Sequence, residues 1–152
     1  AEGGEARIGL APTFAGDVLH QKMAGSPIIM QAGAFLCSSP EIEVKAITGG
    51  LKSLIGGEGL FLLEASGSGD LFMSAYGAIL PIQVQGSYIV DTGHIVAFEP
   101  SLSYEVKRVG GWKSTFLSGE GLTFEFSGNG TLWIQTRVPK GFVGWLTRLL
   151  PT

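Results

Sequence analysis

Cysteine is almost absent: Cys37 is the single thiol among 152 residues. One thiol excludes an internal disulfide framework and suits a reducing compartment, so we predict a cytoplasmic location. The preceding residues, Ala34-Phe35-Leu36, are apolar, which favours a small buried side chain over a reactive thiol. The sequence also lacks any apolar run near the ~20 residues of a membrane span, and it opens without the layout of a signal peptide. These absences predict a soluble protein.

Charge is also scarce. Asp, Glu, Lys and Arg together make up 15% of the residues, whereas about 25% is usual in soluble proteins. A surface with so little charge must include apolar patches, and large patches usually mark contacts with partners. We therefore expect a homo-oligomer. The net charge of −3 lacks the basic excess of a nucleic-acid-binding protein.

Motifs for metal binding and catalysis are missing as well. His20 and His94 each stand without a nearby His-X-X-His or Cys-X-X-Cys pattern, so we predict no metal and no cofactor. Ser74, His94 and Asp91 supply the residue types of a nucleophilic triad, but no Gly-X-Ser-X-Gly elbow presents a serine. A hydrogen bond within a turn or the core is the simpler role for His94. We predict no catalytic residues and a protein that is not an enzyme.

The glycine-rich loops do not match phosphate-binding motifs. Residues 49–53 contain Lys52, but the spacing of a P-loop is absent, so we expect Lys52 and its counterpart Lys113 to be solvated. Glu58 and Glu120 stand between glycines at corresponding places. Because a structural role recurs with a repeat more readily than a catalytic one, we expect each carboxylate to accept hydrogen bonds from loop amides.

Glycine, by contrast, is abundant, with 24 residues, and much of it lies in segments that occur twice. Residues 49–60 recur, with one insertion, as residues 110–122; residues 28–33 parallel 88–93, Glu43-Val44-Lys45 parallels Glu105-Val106-Lys107, and Ser66-Gly67-Ser68-Gly69 parallels Ser127-Gly128-Asn129-Gly130. Self-similarity at a fixed period indicates a repeated structural unit, here of about sixty residues.

The pattern within each copy predicts strands. Apolar and polar residues alternate at 42–46, 102–107 and 122–126, as expected of half-buried strands. We predict turns at 66–69 and 127–130, each followed by another strand, and hence an all-β sandwich, prism or barrel of antiparallel strands. We assign residues 1–68 to one unit, which opens with the closing strand of a preceding unit that is missing, and residues 69–137 to the next. The chain would then be the remainder of a three-unit protein.

The last segment, residues 138–152, predicts a short helix. After Pro139, six apolar residues fall near the i, i+3, i+4, i+7 spacing of an amphipathic helix: Phe142, Val143, Trp145, Leu146, Leu149 and Leu150. Of these, Phe142, Trp145, Leu146 and Leu149 are the candidate contacts to a partner or a membrane. Two interpretations stay open: a helix packed on the chain's own sheet or on a neighbouring subunit, and an interfacial helix on a lipid surface.

Several motifs together resemble a known family. They are Gly49-Gly50-Leu51-Lys52-Ser53-Leu54, residues 57–62, Ala75-Tyr76-Gly77, residues 90–98, residues 110–122, and Trp133-Ile134-Gln135-Thr136-Arg137. In combination they are similar to the altered-inheritance-of-mitochondria protein 24 family over nearly the whole chain.

That resemblance implies three tandem β units similar in fold to the tryptophan RNA-binding attenuation protein, in a pseudo-threefold, prism- or barrel-like arrangement. Such proteins are often trimeric, so a trimer is the favoured oligomer. This chain lacks the first unit, whose strands another chain or fragment would have to supply. The mitochondrial members are linked to the organisation of the inner membrane, and the family offers no established catalytic residues to carry over.

These observations favour a non-enzymatic oligomeric β scaffold or interaction protein. The alternative is a β-barrel that binds or transforms a small molecule. An RNA-binding ring, by analogy with the fold relative alone, and a protein that binds membrane surfaces through its C-terminal segment complete the set.

Overall fold

The computed structural model describes residues 7–47, 61–108 and 122–150. These ranges contain nine strands, a 3₁₀ turn at Ala32–Ala34, a second at Thr92–His94, and one α-helix. The elements are β1 (Val18–Ala24), β2 (Ile28–Gln31), β3 (Phe35–Ser38), β4 (Ile42–Ala46), β5 (Leu62–Ser74), β6 (Ile79–Asp91), β7 (Ile95–Phe98), β8 (Leu102–Arg108), β9 (Leu122–Gln135) and α1 (Pro139–Thr147).

Two long strands, β5 and β9, organise the sheet. β5 pairs antiparallel with β1 and β2 along one edge and with β3 and β4 along the other. β9 pairs with β6 along one edge and with β7 and β8 along the other. β6 is continuous, whereas Gly25, Ser26 and Pro27 separate β1 from β2, because proline has no N–H to continue a ladder.

Glycines allow the long strands to adopt positive φ angles where the backbone of a neighbouring segment comes close. Gly67 in β5 and Gly128 in β9 have positive φ angles of 117° and 125°, which only glycine adopts without strain. A Cβ at Gly128 would lie 2.9 Å from the carbonyl oxygen of Ser101. The turns predicted at 66–69 and 127–130 are therefore wrong: both segments lie inside strands, and their glycines serve a bend and a close approach.

The strands fall into two halves, β1 to β5 and β6 to β9, which meet between β2 and β7. Ile29 pairs with Phe98 and Met30 with Ala97 across this junction. Two hydrophobic clusters extend across it: Val96 and Ala97 of β7 pack with Met30 of β2, and Leu62 of β5 packs with the aromatic cluster around Phe98. Each of the two clusters therefore contains residues from both halves.

The all-β class and the short C-terminal helix are confirmed. Within the described ranges the sheet is open, since its order runs β1-β5-β2-β7-β9-β6 and its ends do not pair with each other, so it is not closed into a barrel. The unit boundaries at residues 68 and 137 stay predictions. Cys37 lies in β3 and is partly buried.

A matched pair of glycines tests the bend in β5. Gly25 and Gly67 both have positive φ angles, but a Cβ at Gly25 would meet nothing within 4 Å, whereas at Gly67 it would collide with the carbonyl oxygen of Glu41. We expect Gly25→Ala to cost about 1–2 kcal/mol through backbone strain. Gly67→Ala should cost about 1–3 kcal/mol more because a neighbouring backbone must shift. Urea unfolding measures the loss of stability in both variants. Equal losses would contradict the close approach of the Glu41 carbonyl to Gly67.

One surface ion pair joins β8 to β9. The Lys107 ammonium donates to the Glu125 carboxylate, which also accepts a 3.2 Å hydrogen bond from the Ser87 hydroxyl. The hydrogen bond and charge of Lys107 lower the pKa of Glu125. A carboxyl whose pKa is lowered by folding stabilises the folded state above its ordinary pKa, and that stabilisation is lost as the pH falls through the folded value.

We expect Glu125→Gln to lower the urea midpoint at about pH 7 and to differ less from the wild type at acidic pH, because Glu125 becomes neutral, like glutamine, as the pH falls through its lowered pKa. Glu105→Gln is the matched control, since Glu105 lies 3.8 Å from the same lysine and is more exposed. An unchanged difference at the two pH values would contradict the assigned ion pair.

Candidate functional site

The C-terminal helix begins where β9 has ended. Val138 is extended, with φ −123°, and Pro139 occupies the first turn of α1, where its fixed φ suits a helix start and its missing N–H is not needed. Beyond Thr147 the chain continues to turn, as the amides of Arg148 and Leu149 donate to the carbonyls of Trp145 and Leu146. The predicted helix is thus confirmed.

The predicted contact residues all lie on this segment and are all exposed. Their exposed fractions are 40% for Phe142, 57% for Trp145, 37% for Leu146 and 62% for Leu149. No residue of α1 is buried. Within the described residues the helix therefore buries no apolar side chain against the chain's own sheet, whereas packing on a neighbouring subunit and contact with a lipid surface stay predictions.

A row of aromatic rings connects α1 to the body of the molecule. The ring centroid of Phe142 lies 6.0 Å from that of Trp145 and 6.2 Å from that of Tyr76, which in turn lies 5.2 Å from Phe14. The Arg137 guanidinium lies 5.7 Å from the centre of the Tyr76 ring, within the range of a cation–π contact. Sequence patterns do not predict these contacts, because they join segments far apart in the chain.

A shallow cavity of ≈ 280 Å³ lies beneath the helix, lined by Tyr76, His94, Arg137, Phe142 and Trp145 among others. Its lining is mostly apolar, and Arg137 contributes a positive charge.

Buried Gln135 connects the end of β9 to Tyr76 and to the second 3₁₀ turn. Its side-chain oxygen accepts from the Tyr76 amide at 2.9 Å, and its side-chain nitrogen donates to the Gly93 carbonyl at 2.7 Å. Nδ1 of His94 donates to the Gln135 carbonyl at 2.7 Å, since a carbonyl can only accept. The side chain of Asp91 accepts from the Gly93 amide at 2.8 Å. These bonds fix the second 3₁₀ turn against the end of β9.

The same bonds occupy the groups of His94 and Asp91 that a catalytic triad would need. His94 uses Nδ1 on a backbone carbonyl, and Asp91 caps a turn, so the two are not arranged as base and orienting carboxylate. The hydrogen bond predicted for His94 is present. His20 lies elsewhere: its Nε2 is 2.7 Å from Asp70 and its ring stacks on Phe72.

In the described part of the chain, no three His, Cys, Asp or Glu side chains are grouped so as to hold a metal ion. Glu58, Glu120, Lys52 and Lys113, to which loop roles were assigned, lie outside the described residues. Among the described helical residues, no helix has the length and hydropathy needed to cross a membrane.

The fold and surface define a predominantly antiparallel β protein with an exposed, apolar C-terminal helix. More particularly, the model of the family described as "Mitochondrial biogenesis AIM24" matches residues 1–137, and the chain belongs to this family. The match ends before α1 begins.

Two relatives from Streptococcus pyogenes agree with this assignment. An uncharacterised protein of serotype M6 is 30% identical over 152 residues, which are 98% of this chain and 61% of the relative. A crystal structure of a protein from the same species superposes with a TM-score of 0.80 at 27% identity, covering 92% of this chain and 63% of that one. The chain thus spans less than two thirds of the length of either relative.

The Gln135 network yields a stability test. Gln135→Ala leaves the Tyr76 amide and the Gly93 carbonyl without their partner, and we expect it to lower the free energy of unfolding by about 1–3 kcal/mol. Gln83→Ala is the control, because exposed Gln83 makes a single 3.1 Å side-chain bond to Thr131 and should change stability by less than about 0.5 kcal/mol. Equal effects in urea unfolding would contradict the role of Gln135.

Proposed function

We propose that this protein is a non-enzymatic β scaffold that assembles with further β units across open edges of its sheet. The observation that carries the proposal is the junction between β2 and β7, because the chain presents unpaired counterparts of both of these strands. The supporting steps are the packing at that junction, the equivalence of the strands, and their exposure.

The junction is a tight interface. Met30, Ala97 and Phe98 are completely buried there. The backbone pairing is short, with Ile29 opposite Phe98 and Met30 opposite Ala97, so side-chain burial supplies most of its stabilisation, at roughly 1.5–3 kcal/mol for each large apolar side chain.

We infer that the two halves are copies of one unit, as the sequence repeat predicts. β2 and the second half of β6 each lead into a 3₁₀ turn and then into a four-residue strand, β3 or β7. With that alignment Ile89 and Val90 correspond to Ile29 and Met30, and Cys37 and Ser38 correspond to Ala97 and Phe98.

Three of the four counterparts lack the burial seen at the junction, whereas Val90 is buried. Ile89 is 63% exposed, and Cys37 and Ser38 are only partly buried. In the described residues β3 pairs only with β5, and β6 only with β9. Unpaired edges that carry exposed apolar residues favour addition of another strand, and the β2–β7 junction supplies the geometry that such an addition would adopt.

One further unit of the same kind could pair with both edges. This is consistent with the three-unit, pseudo-threefold arrangement that the family resemblance implies, and a homo-oligomer, with a trimer favoured, remains our proposal for the assembly. Cytoplasmic localisation remains a prediction that rests on the single thiol.

Size-exclusion chromatography with light scattering tests the assembly. We expect the wild-type chain to have a mass that is a multiple of 16.0 kDa and Ile89→Lys to shift it towards the monomer, since a lysine on an edge strand opposes pairing. Leu80→Lys is the control: Leu80 lies on the same strand and is 44% exposed, but it is not a counterpart of a junction residue.

Circular dichroism and urea unfolding establish that both variants are folded. A wild-type chain that is monomeric at every concentration, or equal effects of the two substitutions, would contradict the proposal.

A further inference from the structure

The strongest unassigned feature is the apolar surface of the C-terminal segment, which we name the C-terminal ridge. It consists of six side chains on α1 and the turn that follows: Phe142, Val143, Trp145, Leu146, Leu149 and Leu150. Each is between 37% and 62% exposed. Six large apolar side chains within nine residues form a continuous patch, and patches of this kind mark interaction sites.

The ridge remains largely exposed although Phe142 and Trp145 line the shallow cavity beneath the helix. No α1 residue is buried, and Phe142 contacts the Tyr76 ring of the body. The polar side of the segment carries Lys140, Thr147 and Arg148, which repeat at helical spacing. The segment is therefore amphipathic, and its apolar side is largely exposed to solvent.

Charge distinguishes this end of the molecule from the rest. Residues 126–152 contain Arg137, Lys140 and Arg148 and no acidic residue, a charge of +3. The remaining 125 residues hold seven basic and all thirteen acidic residues, a charge of −6. The carboxylate of Asp91, two residues before the glycine that lies against Val138, accepts a hydrogen bond from the Gly93 amide. The ridge thus lies at a basic end of an acidic protein.

These features fit a lipid surface. A nine-residue helix is about 14 Å long, less than half the thickness of a bilayer core, so it can lie in the interface but cannot span it. Exposed tryptophan, a convex apolar side and cations on the opposite side are the chemistry of interfacial helices that bind anionic membranes. We propose that the C-terminal ridge binds reversibly to the surface of anionic phospholipid bilayers.

Vesicle co-sedimentation of the full chain tests this proposal. We expect binding to vesicles of phosphatidylcholine with phosphatidylglycerol, and much weaker binding to phosphatidylcholine alone. The double variant Trp145→Ser, Leu149→Ser should bind anionic vesicles at least roughly tenfold more weakly, because it removes two exposed apolar side chains that would enter the bilayer on binding. Leu80→Ser is the control, since it removes an exposed apolar side chain of β6 that is not part of the ridge, and it should bind like the wild type.

The charge contribution has its own variant. Lys140→Ser with Arg148→Ser should weaken binding to anionic vesicles by roughly fivefold for each cation removed and leave the weak binding to phosphatidylcholine unchanged. Trp145 provides a direct readout: its fluorescence should shift to shorter wavelength on binding. Trp145→Phe should bind nearly as well and lose most of that shift, although Trp112 and Trp133 remain.

The outcomes separate this proposal from the assembly. Failure of the wild type to sediment with either vesicle, or unchanged binding by the serine double variant, would overturn the lipid proposal. So would conversion of an oligomer to a monomer by that variant, because the ridge would then be covered by a second copy of the chain. A monomer that binds anionic vesicles would contradict the scaffold and support the lipid surface.

Discussion

Backbone hydrogen bonding along both edges of β5 and β9 is the constraint on which the rest of the structure depends. A strand in the interior of a sheet must satisfy its N–H and C=O groups on each side, and each long strand here draws its partners from segments that precede it in the chain. The absence of a side chain at Gly67 and Gly128 then allows the segments that lead into β4 and β8 to approach closely. The end of β9 places Gln135 where it anchors the second 3₁₀ turn, and from that anchor the chain turns into α1.

Much of the local structure could be predicted because it repeats a simple period. Alternation at 122–126 predicts Phe124 and Phe126 in the core, and both are completely buried. The spacing of apolar residues after Pro139 predicts α1. The bends could not be predicted in the same way, since Gly-X-Gly is equally compatible with a turn between strands, and the approach of Ser101 to Gly128 depends on tertiary packing.

In the candidate site, too, the local features could be predicted from the sequence and the long-range contacts could not. Its exposed residues, such as Trp145, follow from the helical period. Tyr76, however, contacts both Phe14 and Phe142 of the helix only because the fold joins distant segments. The open edge of β6 leads through Asp91 into the 3₁₀ turn, and Gly93 of that turn lies against Val138 at the helix start. The edge and the ridge therefore adjoin, which links the proposed assembly to the proposed lipid contact through a fixed part of the backbone.

The long-range pairing of β1 has a consequence during protein synthesis. Val18 pairs with Ser74, so the ladder of β1 cannot be completed until residue 74 has left the ribosome. At roughly 5–20 residues per second, that interval lasts roughly 3–11 s. β3, which pairs with Leu71 and Met73, waits about two thirds as long. The first half of the nascent chain therefore carries unpaired strands for seconds, and chaperones that bind extended apolar segments have that interval in which to act.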